Sequence, residues 1–132
     1  MPNILNLQLD RYSEIEARIQ YAEKNELFDE ARRLQDELVQ KIERNPSCTS
    51  GALGDALFRL AFYSYKCGYY KVAQMEIAKS IGYRRLFFGK GNEKVRETVE
   101  LAKVIQDELS KLEPRRIRRK RSPLSADSST SN

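Results

Sequence analysis

Few residues in this chain could carry chemistry, and the sequence contains no histidine. Mechanisms that need an imidazole as base, nucleophile or metal ligand are therefore excluded, including Ser-His-Asp and Cys-His arrangements. The two cysteines, Cys48 and Cys67, lie 19 positions apart and form no CxxC pair, so neither a zinc site nor a thioredoxin-type motif can be built from them. We expect reduced thiols, no metal ion and no cofactor.

Two weaker patterns also fail as catalytic signals. The segment Gly89-Lys90-Gly91 lacks the four residues between the first glycine and Gly-Lys, and the following Ser or Thr, that a phosphate-binding loop requires. Paired acids such as Asp107-Glu108 lie on a helical segment without a second group arranged for acid/base catalysis. The sequence therefore predicts a protein that is not an enzyme.

The densest charge is a cationic run that consists of Arg115, Arg116, Arg118, Arg119, Lys120 and Arg121. Residues 115–132 hold these six cations and one acid, Asp127, so their net charge of +5 equals that of the whole chain. The rest of the chain is electrically balanced. A partner held by charge should therefore be sought at this tail first.

Three interpretations of the cationic run remain open. It could be a nuclear import signal, a contact for nucleic-acid phosphates or an anionic lipid surface, or a solubilising tail that complements the dipole of the preceding helix. Ser122, which follows Arg119 by three residues and precedes Pro123, is a candidate phosphorylation site. A phosphate there would weaken each of these contacts.

The elements that must position any site are helices. Apolar residues at spacings of three and four predict five of them, over residues 9–24, 27–44, 51–66, 69–82 and 93–112. Residues 84–91 are either an extension of the fourth helix or a loop with two glycines. The candidate N-caps are Asn6 or Asp10, Thr49 or Ser50, and Asn92. Asn25 could take a left-handed conformation at the first turn.

Length and composition fit one helical domain, since the chain has 132 residues, of which 33% are charged, 4 are proline and 6 are glycine. No stretch approaches the roughly 18 apolar residues of a membrane span, and no signal peptide is recognisable. We predict an N-terminal arm (1–8), a helical domain (9–112) and a disordered basic, serine-rich tail (113–132). The expected location is the cytoplasm, or the nucleus if the tail is an import signal.

The helical segments repeat. An offset of 42 positions aligns Ala31 with Ala73, Phe28 with Tyr70, Ile19 with Ala61 and Ile15 with Leu57. Such a self-match is the signature of a repeat protein. Repeat folds are usually binding scaffolds.

The second hairpin resembles the tetratricopeptide repeat, because Ala61 and Ala73 stand where two helices cross, Gly68 at the turn and Tyr70 beside it. The 42-residue offset is similar to the longer repeats of the kinesin light chain family. The resemblance covers residues 9–112. It implies an all-α stack of antiparallel helical hairpins, with about five helices and two and a half repeats.

The chain departs from that family at three places. Glu26 stands at the turn glycine of the first hairpin. Gly91 opens a third unit in which Glu93 and Lys94 replace the family's His and Pro. Ala102 lies 41 rather than 42 positions after Ala61.

The resemblance places function on the concave face, which the first helix of each hairpin lines. By position, this face holds Gln20, Lys24, Arg59, Phe62, Tyr65, Lys66, Arg96 and Lys103. A mixed aromatic and basic groove suits an acidic or aromatic-containing peptide or helix. In the alternative interpretation, Phe62 and Tyr65 pack against a neighbouring helix and the cations are solvated. Phe62 also replaces the asparagine of chaperone-binding relatives, which argues against chaperone-carboxylate binding.

The sequence thus predicts a non-enzymatic adaptor or scaffold that docks a protein partner, with end surfaces that could support self-association. The alternative is a basic-tail protein associated with nucleic acid or chromatin, in which the helices only dimerise. Salt separates the two, because phosphate contacts by six cations weaken steeply with ionic strength, whereas binding in a mostly apolar groove weakens modestly.

Overall fold

The computed structural model describes the backbone of residues 4–112 and the side chains of residues 12–112. Five helices follow one another: α1 (Ile4–Lys24), α2 (Phe28–Arg44), α3 (Ser50–Lys66), α4 (Tyr70–Phe88) and α5 (Glu93–Leu112). Residues 4–112 contain no β-strand. The predicted all-α fold is confirmed.

The helix boundaries differ from the predicted ones at two places. Helix α1 begins at Ile4, within the segment 1–8 assigned to an arm, so neither Asn6 nor Asp10 is its N-cap. Helix α4 continues past Gly82 to Phe88, which favours the helical interpretation of residues 84–88, and ends at Gly89 with a φ of 93°. The cationic run and Ser122 lie outside the described residues.

Each helix packs chiefly on the next one along the chain, and α3 contacts α2, α4 and, to a small extent, α5. Three-residue turns join α1 to α2 and α3 to α4, so each pair forms an antiparallel hairpin. The many apolar positions of α3 follow from this central place, because a helix covered on several sides cannot keep a single apolar stripe.

The two hairpin turns share one hydrogen-bond pattern at the 42-residue offset. The N–H of Leu27 donates to the carbonyl of Ala22 at 2.8 Å, and the N–H of Tyr69 donates to the carbonyl of Ser64 at 2.9 Å. These are the long bonds of a Schellman motif. The left-handed position is Glu26 (φ 56°) in the first turn and Gly68 (φ 85°) in the second, so the expectation for Asn25 was wrong by one residue.

Two of the predicted N-caps are confirmed. The Thr49 hydroxyl accepts a hydrogen bond from the N–H of Ala52 at 3.0 Å at the start of α3. The Asn92 side chain accepts one from the N–H of Lys94 at 2.8 Å at the start of α5. Each cap satisfies a backbone donor that the first helical turn leaves without a partner.

The core has two parts. The larger lies among α1, α2 and α3 and is built around Ile19, Leu34 and Tyr63. The smaller lies among α3, α4 and α5 and consists of Ala61, Ala73, Ile77 and Ile105 with partly buried neighbours. The aligned repeat positions Ile15 and Leu57, Ile19 and Ala61, and Ala31 and Ala73 are all buried.

The third unit keeps this burial pattern at an offset of 41. Val95, Thr98 and Ile105 are buried, and they stand 41 positions after Gly54, Leu57 and Ser64, which are also buried. Helix α5 thus repeats the register of α3, with the one-residue shift that Ala102 indicated.

Candidate partner-binding cleft

A cleft of about 280 Å³ opens between α1 and α3, with α2 beneath it. Its lining consists of Tyr12, Glu16, Ile19, Gln35, Leu38, Ile42, Ala52, Asp55, Ala56 and Arg59. Pockets for drug-sized ligands start at about this volume. The cleft therefore has room for one or two side chains of a partner.

The floor of the cleft is apolar except for one amide. Ile19, Leu38, Ile42 and Ala56 are buried there. Gln35 is only 1% exposed, and its Nε2 donates to the carbonyl of Ala56 at 3.0 Å. Because a buried amide is costly without a partner, this bond fixes α2 against α3 and keeps the floor in place.

The rim of the cleft is polar. The Tyr12 hydroxyl accepts a hydrogen bond from Asn45 Nδ2 at 3.1 Å, which orients the ring. Asp55 lies between two cations, since Arg84 Nη2 is 2.9 Å from Oδ1 and Lys94 Nζ is 3.1 Å from Oδ2. Because these two cations neutralise Asp55, the charge of the rim depends mainly on Glu16 and Arg59.

Tyr63 closes the junction of α1 and α3 beside the cleft. Its hydroxyl donates a hydrogen bond to Glu23. Burial and this hydrogen bond raise the pKa of Tyr63 above its usual value, while the charge of Arg59 opposes the rise. The hydroxyl therefore stays protonated at neutral pH and acts as a donor.

Three of the predicted groove residues continue the cleft along one stripe of α3. Arg59 lines the cleft, and Phe62 and Lys66 follow it at spacings of three and four, which puts them on the same face. The Lys66 ammonium lies 5.6 Å from the centroid of the Phe62 ring and 5.6 Å from that of Phe28. The two rings thus hold an exposed cation on this face of α3.

Of the eight predicted groove residues, Arg59 is the one that lines the cleft. Tyr65 packs into the smaller core, with its ring 5.8 Å from that of Tyr70, as the packing alternative expected for it. Phe62 is also half-buried, edge-on to Tyr63 at 5.8 Å. The exposed residues Gln20 and Lys24 lie on α1, and Arg96 and Lys103 lie on α5. Lys103 pairs with Glu100 at 3.4 Å.

Sequence reasoning missed Arg84, which is 4% exposed and joins three helices. From α4 its Nε donates to Asp55 Oδ1 on α3 at 3.0 Å, and its Nη1 donates to Thr98 Oγ1 on α5 at 2.8 Å. Its guanidinium also lies 4.5 Å from the centroid of the Phe58 ring. The spacing from Ile77 and Ile81 was a signal, because it places Arg84 on the buried face of α4.

A second polar network joins α2, α3 and α4. Arg32 Nε donates to Ser64 Oγ at 3.0 Å, and Ser64 Oγ donates to Glu76 Oε1 at 2.7 Å. Burial raises the pKa of Glu76, which the Ser64 hydrogen bond partly opposes. The Arg32 guanidinium lies 4.9 Å from the centroid of the Tyr69 ring.

The cysteines are free. Burial, and then the hydrogen bond with Asp29, raise the pKa of Cys67 to about 11, so its thiol stays protonated and poorly nucleophilic. Within the described residues, no three His, Cys, Asp or Glu side chains are grouped so that they could hold a metal ion. None of the described helices is long and apolar enough to cross a membrane.

The sequence matches no protein-family model and none of the curated proteins with which it was compared. The class that the fold defines is an all-α protein of stacked helical hairpins. What the protein binds must be inferred from its own surfaces.

Proposed function

We propose that the protein is a non-enzymatic adaptor of the tetratricopeptide-repeat type, which docks a segment of a partner protein in the α1–α3 cleft. The observation that supports this proposal is the construction of the cleft, an apolar floor surrounded by a few oriented polar groups. Binding sites in proteins commonly combine these two features.

The chemistry of the cleft suits a peptide with an apolar or aromatic side chain next to an acid. The apolar side chain would fill the floor over Ile19 and Leu38. A carboxylate would meet Arg59 on α3, across the cleft from Glu16 on α1, and, farther along α3, Lys66. Asp55 would not repel that carboxylate, because Arg84 and Lys94 neutralise it. Gln20, Lys24, Arg96 and Lys103 would contact only a longer partner.

Crosslinking mass spectrometry in cells tests this proposal. The double variant Arg59→Glu plus Lys66→Glu should lose specific partners of the wild type, because both cations that face the partner's acid are reversed. The control variant Lys41→Glu plus Arg85→Glu makes the same charge change at exposed positions outside the cleft and should keep them. An unchanged partner set in the Arg59/Lys66 variant would show that the cleft is not the docking site.

The competing function, association with nucleic acid, depends on the cationic run, because residues 115–132 carry the whole net charge. Deleting these residues should abolish binding to duplex DNA or RNA and leave the helical circular dichroism signal unchanged. If the partner set changes only on this deletion and not in the Arg59/Lys66 variant, the tail is the binding element and the adaptor proposal fails.

A further inference from the structure

A second surface groove, the α1–α2 end face, lies on the first hairpin outside the cleft. It has a volume of about 320 Å³, and its lining includes Arg18, Tyr21, Ala22, Leu27, Glu30 and Leu34. Tyr21 is 67% exposed and Leu27 is 50% exposed, although both side chains are large and mostly apolar. Such side chains on a groove mark a surface suited to binding.

The repeat supplies a covered copy of this surface. Tyr63 stands 42 positions after Tyr21 and is the same residue type, yet it is only 1% exposed. The same offset relates Ala22 to Ser64, Leu27 to Tyr69 and Leu34 to Glu76. The second hairpin thus shows how Tyr21 would be buried if something lay on the end face, whereas Tyr69, at 46%, stays about as exposed as Leu27.

Helix α2 covers the copy on the second hairpin. The ring of Phe28 lies 6.4 Å from that of Tyr63. One turn later, Arg32 donates to Ser64 at 3.0 Å and lies over the Tyr69 ring at 4.9 Å. Burial raises the pKa of Glu76, and the hydrogen bond from Ser64 and the charge of Arg32 oppose that rise. The covering element is therefore a helix with an aromatic residue and, four positions on, a cation.

We propose that the α1–α2 end face binds an amphipathic helix of a partner protein, which lies across the first hairpin as α2 lies across the second. The turns that organise the two hairpins have the same hydrogen bonds, so the backbone surface offered to such a helix is the same. The bound helix would cover Tyr21 as α2 covers Tyr63.

The residues that differ between the two copies define the chemistry of the partner helix. Arg32 meets a hydroxyl and a phenol ring, whereas the corresponding residues of the end face, Ala22 and Leu27, offer no polar side-chain group. A cation there would be desolvated without a partner, so the bound helix carries an apolar residue at that position.

The rim of the end face adds a charge requirement. Arg18 stands where the second hairpin has Leu60, which is buried there. Glu30, across the groove, already pairs with Arg33. The charge of Arg18 also lowers the pKa of Glu30, although less than Arg33 does. Arg18 lines the groove, and a partner carboxylate next to the apolar stripe would complement it.

The probe for this proposal is a synthetic, fluorescently labelled peptide of residues 27–45 that carries Arg32→Leu. Fluorescence anisotropy with the full chain should show binding about tenfold tighter than for the same peptide with Arg32, since the guanidinium would be buried against apolar side chains. The full-chain variant Tyr21→Ser plus Leu27→Ser should lose this binding. The control Met75→Ser plus Leu86→Ser, at exposed apolar positions of α4, should keep it.

Two results would overturn the proposal: equal affinity for both peptides, or unchanged affinity in the Tyr21/Leu27 variant. A third result that would overturn it is dimerisation through the same face, which sedimentation velocity measures. If the wild type is a dimer and the Tyr21/Leu27 variant a monomer, a second copy of the chain occupies the face, and a partner helix does not. The Arg59/Lys66 experiment concerns the cleft alone, so its failure leaves the end face standing.

Discussion

Helices α2 and α4 occupy the same place in the two hairpins but bury different chemistry. At the 42-residue offset, the apolar side chains Leu34, Leu38 and Ile42 of α2 correspond to the polar side chains Glu76, Ser80 and Arg84 of α4. Ser80 and Arg84 are as fully buried as their apolar counterparts, and Glu76 is half-buried. The repeat thus keeps its geometry while three interior positions change from apolar to polar. One position changes the other way, since the buried Gln35 of α2 corresponds to the buried Ile77 of α4.

The polar interior of α4 is tolerated because each of its groups has a partner. Ser80 Oγ donates to the carbonyl of Gly54 at 2.7 Å, Glu76 accepts from Ser64, and Arg84 binds Asp55 and Thr98. Gly54 makes room for this arrangement, since a Cβ there would lie 2.8 Å from Arg84 Cγ. At these three positions the first hairpin buries apolar area, whereas the second makes matched hydrogen bonds.

The largest expected difference concerns the tyrosine that both hairpins share. Tyr63→Ala should lower the free energy of unfolding by about 3–4 kcal/mol, because it empties a buried site. Tyr21→Ala should change it by less than about 0.5 kcal/mol, because that ring is exposed. Urea unfolding followed by circular dichroism measures both. Similar losses in the two variants would mean that the end face is already covered within the chain.

A smaller difference should separate Arg84 from its counterpart Ile42. Arg84→Met removes the cation that joins α3, α4 and α5 and should lower the free energy of unfolding by about 2–3 kcal/mol. The loss is small for a broken buried pair, because Asp55 retains its ion pair with Lys94. Ile42→Met should cost less than about 1.5 kcal/mol, as a nearly volume-conserving change. Chemical denaturation is again the measurement. Equal costs would remove the distinction between a polar and an apolar interior.

The two turns should respond to substitution with opposite signs. Gly68→Ala should destabilise the fold by about 1 kcal/mol, because an L residue is strained at a φ of 85°. The strain is in the backbone, since no atom lies within 4 Å of the added Cβ. Glu26→Gly should stabilise it by up to about 1 kcal/mol, because it relieves the same strain at a φ of 56°. Melting temperatures would show the two shifts. A shift of the same sign in both would contradict the shared turn geometry.

The smallest effect is a pH dependence from Glu76. Its pKa in the folded chain is raised above the ordinary 4.5 by burial. The fold therefore favours the protonated carboxyl group, and the free energy of unfolding falls as the pH rises through the pKa of Glu76 in the folded chain. Glu76→Gln should flatten that decrease in unfolding experiments between pH 4 and about 7. A steeper decrease in the variant would show that the carboxylate stabilises the fold when charged.

The exposed Glu30 provides a control with the opposite sign. The hydrogen bond with Arg33 lowers the pKa of Glu30 below its ordinary value, so its contribution to stability is lost as the pH falls. Glu30→Gln should therefore leave the decrease above pH 4.5 in place.

Much of the fold could be predicted from the sequence, because apolar spacing, the caps Thr49 and Asn92, and the repeat are local signals. The sequence alone did not settle the continuation of α4, because Gly89 and Gly91 in residues 84–91 also fit a loop. The different exposure of Tyr21 and Tyr63 could not be predicted, since it depends on which helix lies against each ring. Burial of this kind is a property of tertiary packing.

The candidate cleft was only partly predictable. Arg59, which lines the cleft, was predicted through the resemblance, from its position on the first helix of the second hairpin. Phe62 and Lys66 were predicted in the same way and lie on the same face of α3. Tyr12 and Glu16 were not, because their approach to α3 depends on how α1 packs across α2. Tyr65 was assigned to the groove although its ring packs against the smaller core.

The packing of each helix on its sequence neighbour has a consequence for how the protein forms. Contacts between neighbouring helices close short loops, so the average sequence separation of contacts is low and folding should be fast, in microseconds to milliseconds. During synthesis, α1 and α2 can pair before α5 has left the ribosome. The first hairpin would then present its end face to other proteins before the rest of the chain is complete.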